Sequence, residues 1–297
     1  MKIIALIPCL MLDNNRQANN AALDSNMTHL SMIDEWVVYD QCFNEQDYRT
    51  NVKYIGHNPD RAGFVVPRNA LLKYFYNSDA DYAFWIDANS TISKPTLNDT
   101  STVLENVKSG NLQQCDAIFS TLGIWISQDR IQCKSENDFF EKVHLLPCKN
   151  NRSYNWMHGL VIKNFKKYNN IEYYIDDRCD TKQGLAEDVY FARLLRRCVS
   201  CYVAPTIVIN KPPAKTSTTF GNSDTNKYVY PPVNYPTIEK MIDENVIKHN
   251  YISISNNKLS EEIILTRNNY KKDCIKPYIP RKKKEKEIVE DSKIKLF

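Results

Sequence analysis

Short apolar runs alternate with amphipathic, helix-like segments from the start of the chain. The apolar runs are rich in β-branched and aromatic residues, which favour strands. Strands are expected at 3–8, 35–40, 52–56, 82–86, within 116–126, at 157–162 and at 202–209. Helices are expected at 16–32, 66–76 and 185–198. This alternation predicts an α/β fold with a mixed, mainly parallel central sheet flanked by helices.

The alternation stops near residue 209. The stretch 211–219 contains two adjacent prolines and has no periodicity, so we expect a loop there. The chain continues as an irregular extension in which helices are expected at 238–245 and 260–265. We therefore divide the chain into a main domain at 1–221 and a C-terminal extension at 222–297.

The composition is that of a folded globular protein. Of 297 residues 42% are hydrophobic and 25% charged, and the mean hydropathy is −0.51, which excludes disordered and fibrous classes. The apolar opening at 3–12 is about half of the roughly 20 residues that a membrane-spanning helix needs. No small-residue cleavage site follows it, so it is interpreted as a buried first strand rather than a signal peptide. We expect no membrane span.

The cysteines favour a reducing compartment. Their number, nine, is odd and their spacing is irregular, so we expect a cytoplasmic protein, in the host cytoplasm if the chain is viral. Cys198 and Cys201 form an isolated Cys-x-x-Cys with Cys179 upstream. These three are interpreted either as buried free thiols or as zinc ligands.

The net charge of +4 is unevenly distributed. Residues 266–297 contain eleven Lys and Arg against five Asp and Glu, about +6, so the rest of the chain is slightly acidic. The basic run at 281–287 is suited to contacting nucleic-acid phosphates. A solvated chain end is the alternative interpretation.

Two acidic motifs carry candidate chemistry. Asp87 and Asn89 directly follow the strand at 82–86, and their oxygens are suited to Mg²⁺ or Mn²⁺ when a diphosphate completes the coordination. Asp and Asn are also ordinary turn residues. Glu187 and Asp188 lie at the start of the helix expected at 185–198, where the positive end of the helix dipole stabilises acidic side chains. A carboxylate at this position is also held rigidly enough to act as a general base.

The order of these motifs resembles the GT-A class of nucleotide-sugar glycosyltransferases, particularly its family-two type. Pro8 ends a strand that looks like the family's first strand, and Asp40 ends one similar to the strand whose Asp faces the base. Arg68-Asn69 resembles the family's Arg-Asn before the metal-binding strand. Asp87-Ala88-Asn89 resembles its Asp-x-Asp motif, and Glu187-Asp188 resembles its Glu-Asp pair. The resemblance covers about residues 2–209.

The resemblance implies a metal-dependent enzyme that transfers a hexosyl or pentosyl group from a nucleotide-sugar donor, expected to be a UDP-sugar. It implies that Asp188, with Glu187, is catalytic and that Asp87 and Asn89 hold Mn²⁺ or Mg²⁺. It assigns donor binding to Pro8, Asp40, Arg68, Asn69 and Asp87. It makes residues 1–100 a nucleotide-binding half and 101–221 an acceptor half.

This chain departs from the family in two ways. Asn89 replaces the second acidic residue, and the Gln-x-x-Arg-Trp signature of processive members is missing, which favours the transfer of one sugar per event. Lys215 is interpreted as part of a lid over the diphosphate or of a surface loop. Trp125, Trp156 and His158 are candidate acceptor contacts, with a buried structural histidine as the alternative for His158.

The basic tail directs the acceptor hypothesis. A polyanionic acceptor fits it, and hydroxymethylcytosine in bacteriophage DNA is the acceptor we expect, the target base being flipped out of the duplex. Transfer to a surface glycan, lipid or protein is the first alternative. A sugar nucleotidyltransferase is the second, although the Gly-rich phosphate loop usual in that class has no counterpart at 9–16.

Overall fold

A computed structural model describes residues 1–9, 16–40, 48–56, 64–92, 97–122, 142–148, 157–180, 183–210, 231–251 and 261–266. Within these ranges lie ten strands and six helices. The strands are β1 Ile3–Cys9, β2 Glu35–Asp40, β3 Val52–Ile55, β4 Tyr82–Trp85, β5 Thr91–Ile92, β6 Ala117–Leu122, β7 Lys142–Pro147, β8 Leu160–Lys163, β9 Cys201–Asn210 and β10 Ile263–Thr266. The helices are α1 Arg16–His29, α2 Val65–Tyr76, α3 Leu97–Lys108, α4 Phe165–Asn169, α5 Glu187–Cys198 and α6 Tyr235–Lys248.

The strands form one mixed sheet in the order β10-β7-β9-β6-β8-β4-β1-β2-β3, with β5 paired to β9. The strands β3, β2, β1 and β4 run parallel to one another, and β6 runs parallel to β9. The antiparallel strand β8 joins these two parallel groups. The prediction of a mixed, mainly parallel sheet flanked by helices is confirmed.

Alternate residues of the central strands pack into two separate cores, one on each face of the sheet. In β1, Ile4 and Leu6 lie in the core that contains the buried faces of α2, α5 and α6. Ile3, Ala5 and Ile7 lie in the other core, with residues of α1 and α3. Because both faces are covered, β1 is apolar throughout rather than alternating, and the interpretation of the opening run as a buried strand is confirmed.

Two predicted elements differ from the structure. The helix expected at 260–265 is wrong: the β-branched segment Ile263–Thr266 is strand β10, paired antiparallel with β7. The strand expected at 157–162 begins later, at Leu160, because residues 157–159 form a turn in which Gly159 has a positive φ of 67°. Local sequence does not reveal these features, since both depend on pairing with distant strands.

The predicted division at 221/222 lies outside the described residues. Helix α6, which follows it, packs through Ile238, Met241 and Ile242 into the same core as α5. Among the helices of the described ranges, none is long and apolar enough to cross a membrane.

Candidate active site

The carboxyl ends of β1, β2 and β4 meet at one edge of the sheet. In the parallel register Cys9 lies opposite Asp40, so Pro8 and Asp40 end neighbouring strands. Beyond β4, the Ala88 amide donates to the Pro8 carbonyl at 3.4 Å. Asp87 therefore lies at the same edge, which is where open α/β sheets bind ligands.

Asp87 and Asn89 lie on one tight turn. The Ser90 amide donates to the Asp87 carbonyl at 2.9 Å, and the Asn26 side chain of α1 donates to the Ser90 carbonyl at 2.9 Å. This turn follows directly from the buried strand Tyr82–Trp85 and Ile86, so the polar side chains begin where the core ends.

Arg68 lies at the centre of a group of ionisable side chains. It comes from the first turns of α2, and only 3% of its side chain is exposed. One guanidinium nitrogen donates to Glu187 Oε1 at 3.0 Å and also lies 3.7 Å from the sulfur of Met157. The second nitrogen lies 3.8 Å from Asp87 Oδ1.

Burial alone would lower the pKa of Arg68, but the negative charges of Glu187, Asp87 and Asp188 outweigh burial and raise it. The guanidinium therefore stays protonated and bridges the turn after β4 to the start of α5. Asp87 and Asp188, about a hundred residues apart in sequence, converge on this one cation.

Glu187 and Asp188 occupy the first turn of α5, where their charge favours the positive end of the helix dipole. An Asp188 oxygen accepts a 2.8 Å hydrogen bond from the amide of Val189, which fixes the carboxylate against the helix. Asp188 is 8% exposed. A short, backbone-anchored carboxylate of this kind can accept a proton without rearranging.

His158 contacts the other oxygen of Asp87. Its Nδ1 lies 3.0 Å from Asp87 Oδ2, its side chain is 2% exposed, and its carbonyl accepts a hydrogen bond from the Ser120 hydroxyl. The Gly159 amide donates to the Trp85 carbonyl at 2.7 Å, which sets this turn beside the end of β4. His158 is thus buried and in contact with Asp87.

We call Arg68, Asp87, His158, Glu187 and Asp188 the Arg68 cluster. Asp87, with 17% of its side chain exposed, is its most accessible member. The others are almost fully buried. A ligand approaching this edge of the sheet therefore meets Asp87 first, while Arg68, Glu187 and His158 lie beneath it.

The turn 87–90 suits a divalent cation that shares its coordination with a substrate. A carboxylate and an amide oxygen are the hard ligands that Mg²⁺ and Mn²⁺ take, and Mg²⁺ is commonly held by one or two carboxylates together with substrate phosphates. Among the described residues there is no group of three or more His, Cys, Asp or Glu side chains able to hold a metal. Asp87 and Asn89 thus fit a cation shared with a diphosphate, not one enclosed by the protein.

Two predicted donor contacts have partners of their own within the chain. The Asn69 side chain donates to the Ile175 carbonyl at 2.8 Å and accepts from the Ile175 amide at 2.9 Å, so it anchors the segment before α5. Asp40 is 1% exposed and lies 3.4 Å from the hydroxyl of Tyr48, whose ring stacks on Tyr54.

Several predicted residues lie outside the described ranges: Trp125, Trp156, Lys215 and the basic run at 281–287. Cys179, Cys198 and Cys201 are described, and all three are buried free thiols. Burial raises the pKa of Cys198 to about 12 and raises the pKa of Cys201 well above its ordinary value.

Sequence reasoning missed several contacts of the predicted site residues. Met157 contacts Arg68, Ser120 contacts His158 and Tyr48 contacts Asp40, and no motif predicts these contacts. It also missed the run at 172–178, in which two adjacent tyrosines and an isoleucine lie between one carboxylate and a pair of carboxylates. That run was the available signal for the cleft described below.

No protein-family model matches the sequence, and no curated protein matches it. Solved structures with a similar chain path include residues 1–349 of S. aureus TarS in complex with UDP-GlcNAc, with a TM-score of 0.49 and 16% identity over 85% of this chain and 68% of that one. The structure of the same TarS fragment with no ligand named has a TM-score of 0.46 and 14% identity, and its complex with UDP has a TM-score of 0.46 and 13% identity. Both matches cover 85% of this chain and 67% of the TarS chain. At these values the likeness assigns neither a family nor an activity to this chain.

Proposed function

We propose that this chain is a glycosyltransferase that moves one sugar from a nucleoside-diphosphate donor, a UDP-sugar by preference, to a hydroxyl acceptor. The observation that carries the proposal is that the buried Arg68 joins Asp87, at 3.8 Å, to Glu187, at 3.0 Å, the residue that precedes Asp188 at the start of α5. A sugar transfer of this kind needs one group near the departing diphosphate and a second carboxylate near the attacking alcohol. The two aspartates supply such a pair.

Asp87 is assigned to the donor side because it is the accessible member of the cluster. Pro8 lies near the end of β1, which neighbours β4, and Asp40 ends β2, the next strand, so a nucleotide lying along this edge would pass over all three. Asp87 and Asn89 would hold Mn²⁺ or Mg²⁺, which when bound neutralises charge on the diphosphate.

Asp188 is assigned as the general base. In the proposed step the acceptor oxygen bonds to the anomeric carbon, the bond from that carbon to the diphosphate oxygen breaks, and the hydroxyl proton passes to the Asp188 carboxylate. The nucleoside diphosphate leaves with the bonding electrons. Attack opposite to the departing group inverts the anomeric configuration.

Arg68, Glu187 and His158 are assigned as positioning residues. Their burial keeps them from a bound sugar, whereas their contacts fix Asp87 from below and tie it to the start of α5. Catalysis is sensitive to displacements of about 1 Å, so a rigid bridge between the two aspartates has a direct consequence for turnover.

A narrower form of the proposal makes hydroxymethylcytosine in bacteriophage DNA the acceptor. It is supported by the charge of about +6 over residues 266–297. If the tail holds DNA, removing residues 281–297 flattens the dependence of DNA affinity on salt, whereas transfer to a glycan, lipid or protein is unchanged by the truncation.

The test is a panel of nucleotide sugars incubated with the full chain, Mn²⁺ or Mg²⁺, and either hydroxymethylated duplex DNA or neutral oligosaccharides. Release of nucleoside diphosphate and product mass are measured. We expect release from at least one donor, lost on chelation and lost in Asp87→Ala. An unchanged rate in Asp87→Ala with chelator present would refute the role of Asp87, and a sugar 1-phosphate plus nucleoside triphosphate as the reacting pair would indicate a nucleotidyltransferase.

A further inference from the structure

A cleft of about 710 Å³ has a lining that includes no member of the Arg68 cluster. It lies between the C-terminal end of α6, the segment 172–178 and Asn69 of α2, and Tyr190 of α5 is among its lining residues. Its volume is within the range of roughly 300–1,000 Å³ typical of small-ligand sites. None of the functional assignments above uses it.

The walls of this cleft, here called the α6 cleft, are held in place by polar contacts. Arg178 pairs with Asp176 at 2.7 Å and with Glu244 of α6 at 2.6 Å, so it links the two sides. Asn245 donates to Asp176 at 2.5 Å, and Asn69 holds Ile175 by two hydrogen bonds. A cleft braced in this way is formed before any ligand arrives, which lowers the entropic cost of binding.

The charge of the lining excludes one class of ligand. Four carboxylates line the cleft against two cations, Arg178 and Lys248, so its net charge is −2 with His249 neutral. Arg178 is already paired with two of those carboxylates. A diphosphate or a nucleic acid would be repelled, which leaves neutral and cationic ligands.

The remaining groups suit a ligand rich in hydroxyls. The rings of His249 and Tyr251 stack at 5.3 Å with 21° between their planes, and the Tyr251 hydroxyl is anchored to the Glu172 carbonyl at 2.8 Å. Asp177 and Lys248 are exposed and form no side-chain hydrogen bond or ion pair with the described part of the chain. Aromatic faces next to unused donors and acceptors match the alternating C–H and O–H surfaces of a sugar ring.

The α6 cleft and the Arg68 cluster share two helices without sharing a lining residue. Asn69 of the cleft follows Arg68 directly on α2, and Tyr190 of the cleft follows Asp188 by two positions on α5. Residues one or two positions apart on a helix face different directions, so the cleft is a site separate from the cluster.

We infer that the α6 cleft binds a neutral oligosaccharide. The binding of carbohydrate at this cleft does not rest on the proposed transferase function.

Saturation-transfer NMR on the full chain tests the inference without requiring turnover. The probes are maltotetraose, cellotetraose and chitotetraose, with a heparin-derived tetrasaccharide as the anionic comparison. We expect saturation of at least one neutral probe and none of the anionic one. Asp177→Ala and His249→Ala should each weaken binding at least tenfold, while Asp243→Asn, an exposed carboxylate of α6 paired with Arg197 outside the cleft, should leave it unchanged.

UDP affinity is measured by calorimetry on the same samples. The inference would be overturned by any of three results obtained while UDP binds normally. The first is no saturation of any neutral probe, the second is saturation in both cleft variants equal to that of the parent chain, and the third is displacement of the sugar by a hydroxymethylated DNA duplex. If a neutral probe binds and depends on the cleft residues but UDP does not bind, the carbohydrate site stands and the transferase proposal fails.

Discussion

Replacing Arg68 by methionine removes the cation that three carboxylates share. The side chain keeps a similar length and packs in the same space beside Met157, so the main change is electrostatic. Glu187 loses a partner at 3.0 Å and Asp87 loses one at 3.8 Å. Both carboxylates remain as buried as before unless the turn 87–90 or the start of α5 moves.

The size of the effect follows from these distances and from burial. With an effective dielectric constant of about 20, the two contacts give gross attractions of roughly 5 and 4 kcal/mol, most of which offsets the cost of burying the charges. Removing one partner of a buried pair leaves that cost uncompensated and typically destabilises a protein by about 3–5 kcal/mol. We expect Arg68→Met to lower the free energy of unfolding by that amount. Arg68→Lys should lower it by less, because the positive charge is kept, but not leave it unchanged, because one ammonium cannot face both carboxylates.

Urea denaturation followed by circular dichroism measures the loss. The control is Arg197→Met, which removes a 2.7 Å pair with Asp243 on an arginine that is 43% exposed, and which we expect to cost at most about 1 kcal/mol. Equal destabilisation by Arg68→Met and Arg197→Met would refute the view that Arg68 is the central cation of the site.

Two further predictions concern the loop before α5 and the acid stability of the fold. Gly184 has φ +75°, and an added Cβ would lie 2.6 Å from the Pro232 carbonyl oxygen, so Gly184→Ala should cost about 2 kcal/mol or more and reduce turnover. Gly110→Ala carries the same left-handed backbone cost, at φ +86°, but its Cβ would meet only the ends of the Gln113 and Met1 side chains at 3.3 and 3.6 Å, so it should cost less; equal urea midpoints for the two variants would contradict this. Burial alone would raise the pKa of Asp81, but hydrogen bonds from Lys167 and Tyr168 hold it below its usual value, so its stabilisation is present above about pH 4 and is lost as the pH falls. Asp81→Asn should therefore flatten the decline of unfolding free energy between about pH 5 and pH 2, and an unchanged slope in urea titrations would count against it.

The parallel half of the sheet was predictable because its signals are local. Ile3–Cys9, Glu35–Asp40 and Tyr82–Trp85 are short apolar strands separated by helices, and that alternation determines both their direction and the edge at which they end. The placement of Asp87 at that edge followed from the same pattern.

The other half of the sheet was not predictable in this way. Strand β10 is a short β-branched segment that forms because it pairs with β7, more than a hundred residues away in sequence. Periodicity over so few residues does not distinguish a strand from a helix.

The sequence singled out the acidic residues of the Arg68 cluster, but it did not reveal the contacts that join them to Arg68 and His158. Asp87, Glu187 and Asp188 stood out because carboxylates after a strand or at a helix start have defined chemistry. That Arg68 lies buried between them, and that His158 lies behind Asp87, depends on how α2 and the turn before β8 pack on the sheet. No spacing in the sequence encodes those contacts.

The central claim is that Asp188 takes the proton of the attacking hydroxyl while Asp87 serves the donor. The measurement that tests it most directly is single-turnover sugar transfer by Asp188→Asn, with UDP affinity determined by calorimetry on the same protein. The account predicts UDP affinity within about threefold of the parent chain and a transfer rate lower by roughly 10²–10⁴. An Asp188→Asn chain that transfers sugar at the parent rate would contradict it.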